Sequence, residues 1–302
     1  GQLLREPYGA TEAVFRGGRG SHSAAAVKRY YETAAYDARV ALAKADPACE
    51  PWVYAMEDAY FSAFTQAEVS SHAALARRAQ TNRGAAAEGR IRPDRNAAEL
   101  VVAATDRPRL FVDLAAAITG GGANVVGARV FTSRAGQALD VFNVQDVTGQ
   151  PYGAGNPRAL ERLVEHLELA ARGELIPAEP RRTADLGRAA AFSITPTVML
   201  DNDASETSTV VEASGRDRTG LLAALARTLA DAGFSILSAH IDGYGERAVD
   251  AFYVVGPDGA KVADARKRNA LRAALLAVIA ETEANEPSPR NNLQRARASV
   301  AR

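Results

Sequence analysis

The sequence predicts an α+β protein: a helical N-terminal segment followed by two copies of one small module of strands and helices. Three observations carry that prediction. First, residues 100–150 and 210–260 repeat the same order of elements and much of the same wording, Asp106-Arg107-Pro108-Arg109-Leu110 against Asp217-Arg218-Thr219-Gly220-Leu221. Asp140 and Asp250 likewise precede Val141-Phe142-Asn143-Val144 and Ala251-Phe252-Tyr253-Val254. The two Asp-Arg turns lie 111 residues apart, a period that points to duplicated domains and not to a solenoid. Second, the first 80 residues are rich in Ala, Arg, Glu and Lys and poor in β-branched residues, as helices are. Third, each copy passes from β-branched runs to helically spaced apolar residues and back.

Taken in order, residues 24–44 and 51–80 read as helices, with Gly17-Gly18-Arg19-Gly20-Ser21 breaking the chain before them. Residues 1–80 form a helical connector and residues 81–97 a linker, since Gly84, Gly89, Pro93 and several arginines interrupt every pattern there. The first module spans 98–190. It has a buried strand over 99–104, a helix over 108–120 with Leu110, Leu114, Ala117 and Ile118 on one face, strands over 124–132 and 137–146, and a helix over 157–172. The second spans 191–285, with strands over 207–214, 235–243 and 247–255 and helices over 219–232 and 264–283. Residues 193–201 are a further strand with two open assignments. It closes the first sheet as its last strand, or it turns back through Asp203-Ala204-Ser205 onto 207–214 and completes the second. Residues 286–302 read as a disordered tail. Two helices on one face of an antiparallel sheet make each module a ferredoxin-like βαββαβ sandwich.

The 302 residues are 47% hydrophobic and 24% charged, ordinary for globular domains. Lys plus Arg equals Asp plus Glu at 36 each, so there is no broad basic field for nucleic acid. Cys49 is the single cysteine, which excludes an intramolecular disulfide and a thiolate metal cage. Apolar runs such as 273–280 are too short to span a bilayer, and no signal pattern opens the chain, so no membrane is expected and the location expected is cytoplasmic. The first residue is Gly1, not Met, as expected of a piece of a longer chain.

The Asp-Arg turn is the most specific signal. A strand that ends at Asp and bends into a helix leaves backbone N–H groups at the positive end of the helix dipole, a receptor for a carboxylate. The start of the next strand supplies backbone groups for an ammonium, so an α-amino acid satisfies both ends. The candidate ligand residues are Asp217, Arg218, Thr219, Gly220 and Leu221 with Phe234, Ser235 and Ile236, and Asp106, Arg107 and Pro108 with Ala123, Asn124 and Val125. A single such turn is better read as an N-terminal cap; its repetition in the same order of elements shifts the reading toward a site. Catalytic residues and a metal site are not expected. None of His22, His72, His166 and His240 precedes an Asp, and Asp201 and Asp203 sit where a hairpin turn favours Asx residues for local bonding. His240 reads as a packed strand residue, and Trp52, Tyr54, Tyr60 and Phe61 as helix-packing anchors.

On these residues the tandem copies resemble ACT domains, which bind amino acids at interfaces between two such modules. The words Asp201-Asn202-Asp203-Ala204-Ser205, Val211-Glu212-Ala213, Asp217-Arg218-Thr219-Gly220-Leu221-Leu222, Ser238-Ala239-His240-Ile241, Tyr244-Gly245-Glu246-Arg247 and Val249-Asp250-Ala251-Phe252-Tyr253-Val254 resemble the C-terminal end of the bifunctional uridylyltransferase/uridylyl-removing enzyme family. Gly1-Gln2-Leu3-Leu4-Arg5 with Thr11-Glu12 resembles the segment after that family's HD hydrolase core. The resemblance implies a regulatory piece without catalysis of its own. It would sense L-glutamine for an enzyme that attaches UMP to the PII nitrogen-signalling protein and removes it, with Mg²⁺ belonging to catalytic domains outside this chain and no cofactor within it. The family pattern Asp-Arg-Pro-Gly-Leu has Arg109 at its glycine in the first copy and Thr219 at its proline in the second. The second copy is therefore expected to hold the better ligand site, with an arginine blocking or remodelling the first and Asn124 keeping that copy in play. The alternative is a free-standing amino-acid-binding or assembly module whose ACT pairing runs within or between chains.

Overall fold

The computed structural model describes residues 35–175, 194–244 and 247–284. The expectations for residues 1–34, the Gly17–Ser21 break included, and for the tail at 286–302 lie outside the described residues.

The chain is helical over 35–45 (α1) and then passes through a 3-10 turn into α2 (Glu50–Ala55), α3 (Asp58–Ala63) and α4 (Gln66–Thr81). The single helix expected over 51–80 is thus three. Met56 and Glu57, then Phe64 and Thr65, leave the helix for extended backbone. No glycine or proline marks these breaks, but Thr65 and Glu68 form a reciprocal capping box that starts α4 afresh.

The strands follow as β1 (Ala85–Arg92), β2 (Ala97–Thr105), β3 (Asn124–Thr132), β4 (Gln137–Gln145), β5 (Thr197–Asp201), β6 (Thr209–Arg216), β7 (Ser235–Tyr244) and β8 (Arg247–Val255). They are joined by helices α5 (Leu110–Gly120) and α6 (Pro157–Ala171) in the first half and α7 (Leu221–Asp231) and α8 (Ala265–Ala284) in the second. All eight strands form one antiparallel sheet in the order β1-β2-β4-β3-β7-β8-β6-β5. The order reads alike from either edge, as the duplication requires. The two halves meet where Gly127–Phe131 of β3 pair with Ser238–Asp242 of β7.

The expected α+β, ferredoxin-like class holds, with one refinement. In both halves the edge strand comes from the N-terminal side, so each reads ββαββα. The strand expected at 193–201 is β5, and it pairs with β6, the second of its two assignments. The residues expected to be a linker, 81–97, instead contain β1, paired along its length with β2 from Ala85 opposite Ala104 to Arg92 opposite Ala97. Its arginines misled the reading because edge strands carry charge. Arg90, Arg92 and Arg95 converge on the buried carboxylate of Glu99, at 2.6, 3.1 and 2.8 Å, and Arg92 and Arg95 also reach Glu68 of α4.

Helices α5 to α8 cover one face of the sheet. The first half is covered on its other face too, where Trp52, Tyr60, Leu75 and Ala79 of the connector pack on Ala86, Val101, Ala103, Phe131 and Leu139. Hence β2 is buried at every position but its last, while β8 alternates between buried and partly exposed residues. The expected aromatic anchors sit in this contact: Trp52 Nε1 donates to Tyr60 Oη (3.2 Å), and Tyr60 Oη lies 2.9 Å from His72 Nδ1. Tyr54 is exposed and stands apart.

Candidate functional site

The two Asp-Arg turns fold alike. Leu221 N–H donates to Arg218 O at 3.1 Å and Ala224 N–H to Gly220 O at 3.0 Å; Leu110 N–H donates to Arg107 O at 3.2 Å and Asp113 N–H to Arg109 O at 3.0 Å. The residue that opens each helix is left-handed, Gly220 at φ 83° and Arg109 at φ 67°. Glycine adopts that conformation without strain, whereas an arginine there costs about 1 kcal/mol. Asp217 and Asp106 are not the N-caps, which fall three residues later on Gly220 and Arg109 and make no side-chain cap bond. The capping alternative for the two aspartates therefore does not hold.

Two clefts lie at the junction of the halves, one at each turn. The first encloses, with its open mouth, about 410 Å³. Its walls are Asp217, Arg218, Gly220 and Leu221 from the second half's turn, Asp242 and Asp250 from β7 and β8, and Asn124, Val125, Ala115 and Thr119 from the first half. The second, about 390 Å³, has Asp106, Arg107, Arg109 and Asp140 from the first half and Ala230 and Ile236 from the second. Each cleft joins the turn of one copy to the strand start of the other. The sequence pattern sets each strand start opposite the turn of its own copy; the β3–β7 pairing crosses them. Asn124 therefore belongs with Asp217, not with Asp106. Matching register shifts between Val125 and Gly127 and between Ile236 and Ser238 bend the two strand starts beside the clefts.

Of the other candidates, Ala123 and Phe234 are core residues, and Pro108, Thr219 and Ser235 line neither cleft. Arg107 lines the second cleft, but its guanidinium also donates to Ala170 O at 2.6 Å and Ala171 O at 3.1 Å at the end of α6, tying the turn to that helix. Arg218 reaches Val278 O of α8 in the same way. Asp140 and Asp250 belong to the repeat, whose pattern does not mark them as site residues. Burial, with the Asp106 carboxylate nearby, pushes Asp140 up to about 8. Burial, with Asp217 and Asp242 nearby, raises Asp250 well above the usual carboxylate range.

The rims differ. Arg109 reaches across the halves to Asp231 at the end of α7, Nη1 to Oδ1 2.6 Å. At the first cleft the positions equivalent to that pair are Gly220 and Gly120, which bear no side chains. Elsewhere, Asp201 Oδ1 accepts from the N–H groups of Asp203 and Ala204 at 2.6 and 3.2 Å, the expected hairpin bonding. His240 packs beside Tyr253, away from both clefts, and burial lowers it to about 4.

Residues 209–271 match the ACT domain. Along its whole length the chain is 74% identical to the bifunctional uridylyltransferase/uridylyl-removing enzyme of Phenylobacterium zucineum and 65% identical to that of Caulobacter vibrioides. The chain corresponds to a part of the bifunctional uridylyltransferase/uridylyl-removing enzyme family. It spans 32% of the length of those two relatives and is consistent with their C-terminal region. A solved aspartate kinase from Synechocystis is matched by 59% of this chain, over 26% of its own, at 17% identity and a TM-score of 0.32, too distant to constrain the fold. The ACT match covers β6 to the first part of α8, and the first half repeats those elements. Among the described residues no cluster of His, Cys, Asp or Glu could hold a metal ion, and no helix is long and apolar enough to cross a membrane.

Proposed function

We propose that this chain is the glutamine-sensing region of a cytoplasmic uridylyltransferase/uridylyl-removing enzyme acting on the PII protein, and that the effector binds in the first cleft. The observation that carries this reading is the bare Gly220 in the wall of a cleft built by both halves, with Gly120 standing where the other copy has Asp231. The first turn of α7, which has no side-chain cap and lies at the positive end of the helix dipole, suits the effector's carboxylate, and the acidic groups opposite suit its ammonium. Asn124, a side-chain amide on the far wall, suits a ligand that itself ends in an amide.

Because the walls come from both halves, a ligand bridging them favours one relative placement of the halves over others. The preference reaches the rest of the enzyme through the connector packed on the first half's sheet. An effector present at millimolar levels needs only about −4 kcal/mol of binding free energy. A coupling of roughly 1–3 kcal/mol then suffices to bias catalysis.

The test is Gly220→Arg in the intact enzyme, with PII uridylylation and deuridylylation followed against L-glutamine. Loss of the glutamine response with both activities retained is expected. An unchanged response overturns the reading.

A further inference from the structure

Two carboxyl groups are left unserved by the fold's own bonding. Asp140 on β4 and Asp250 on β8 hold equivalent places in the duplicated sheet, each is 2% exposed, and Oδ1 of each is buried with no hydrogen-bond partner. A buried polar atom without a partner costs on the order of 1–3 kcal/mol, and native proteins carry few of them. Here the same cost occurs twice at the same place, and each time the group faces a cleft. The flanking positions on the same face of β8, Ala248 and Phe252, are apolar and buried, so packing alone gives no reason for a carboxyl between them.

The surroundings of Asp250 say what would satisfy it. Of the side chains lining the first cleft, the charged ones are Asp217 and Arg218 from the turn, Asp242 from β7 and Asp250 itself. The lining residues of α5, β3 and α7 are uncharged. Arg129 of β3 offsets Asp242, Nη2 to Oδ1 3.5 Å, and the Arg218 guanidinium is directed in part to Val278 O, while Oδ1 of Asp250 keeps no hydrogen-bond partner, so the unmet group on this wall is an acid. The wall formed by the start of α7 has the opposite need, since its N–H groups favour an anion.

We propose that Asp250 binds the ammonium of the effector amino acid, and that the effector's entry converts this carboxyl from its protonated to its ionised form, so that binding releases a proton. The O–H bond of the carboxyl breaks, the proton leaves to solvent, and the carboxylate accepts an N–H from the ammonium; no electron changes hands. In the empty cleft, burial first and then Asp217 and Asp242 hold the carboxyl in its neutral form. A cation at hydrogen-bond distance reverses that preference. Binding is consequently linked to pH, and below the carboxyl's own pKa the affinity falls toward tenfold per pH unit. The inference rests on the glutamine-sensing reading and adds to it the group that recognises the ammonium.

The test is calorimetric titration of the full chain with L-glutamine and with Nα-acetyl-L-glutamine, in phosphate and in Tris at several pH values, for wild type and Asp250→Asn. Support consists of a heat that differs between the buffers by about one released proton, affinity that rises with pH, no binding of the acetylated compound, and at least tenfold weaker binding without proton release in the variant. Glutamine binding with equal heats in both buffers and equal affinity in Asp250→Asn overturns the inference and leaves the glutamine reading standing. If the variant does not fold, the wild-type buffer and acetylation results decide. If wild type binds no glutamine, the glutamine reading fails and the inference is judged by thermal shifts with the other L-amino acids at pH 6 and pH 9. A shift that grows with pH and vanishes in the variant supports it; no such amino acid overturns it as well.

Discussion

The two clefts descend from one module and share a turn, a bent strand start and a buried aspartate, yet one rim is bridged and the other is bare. The change needed two positions that lie 122 residues apart and face each other across the halves, Arg109 with Asp231 against Gly220 with Gly120. An arginine alone at a left-handed position costs strain. Paired with Asp231 it recovers part of that cost and ties α5 to α7. A duplicated fold thus keeps one copy of its site open and turns the other toward holding the halves together.

The sheet shows the same division. The first half is sandwiched between its own helices and the connector, and the arginines around Glu99 bind β1, β2 and α4 into one unit. The second half rests on its helices alone among the described residues. Under the proposed function, the first half is the relay to the rest of the enzyme and the second half's turn the receiver of the effector.

The largest effect that would sharpen this comparison concerns Asp140. The folded state raises its carboxyl to about 8, so folding stability that depends on its proton is fully present below the ordinary value near 4 and is lost as pH rises through about 8. Asp140→Asn should match wild type near pH 3 and exceed it at pH 9 by a few kcal/mol in denaturant unfolding; parallel pH curves for the two proteins would show that the carboxyl is not held neutral by burial. Next in size, Glu99→Ala leaves Arg90, Arg92 and Arg95 without their shared carboxylate and should cost about 3 kcal/mol. Hydrogen exchange should report that loss first in β1 and α4, and a loss spread evenly over both halves would break the distinction between them. Gly220→Arg, which copies the bridged rim, should weaken effector binding at least tenfold, about 1.4 kcal/mol. Smallest is Arg109→Gly, which relieves backbone strain of about 1 kcal/mol while giving up an exposed ion pair worth up to about 1 kcal/mol. Its melting temperature should barely move.

Much of this was legible in the residues. The repeat placed both Asp-Arg turns, the strand at Arg247–Val255 falls where its alternation put it, and the arginine at a glycine position singled out the first copy's turn as the altered one. Two things escaped. The edge strand β1 hid because Gly89 and its arginines resemble a linker, and only the partner Glu99 on β2 shows why the charges belong there. The composition of the clefts escaped for a deeper reason. Periodicity speaks for one element and its neighbours in sequence, whereas β3 meets β7 through a pairing more than 100 residues distant in the chain, which sends Asn124 to the other copy's turn. Asp140 and Asp250 could have been found by asking why an acid recurs between buried apolar residues on a central strand.

The central claim, that one of two related clefts takes the effector, is tested most directly by the stoichiometry of L-glutamine binding in wild type, Gly220→Arg and Arg109→Gly. One molecule per chain, lost in Gly220→Arg and kept in Arg109→Gly, is the expected result. Two equivalent sites in wild type, or binding that survives Gly220→Arg but not Arg109→Gly, would contradict it.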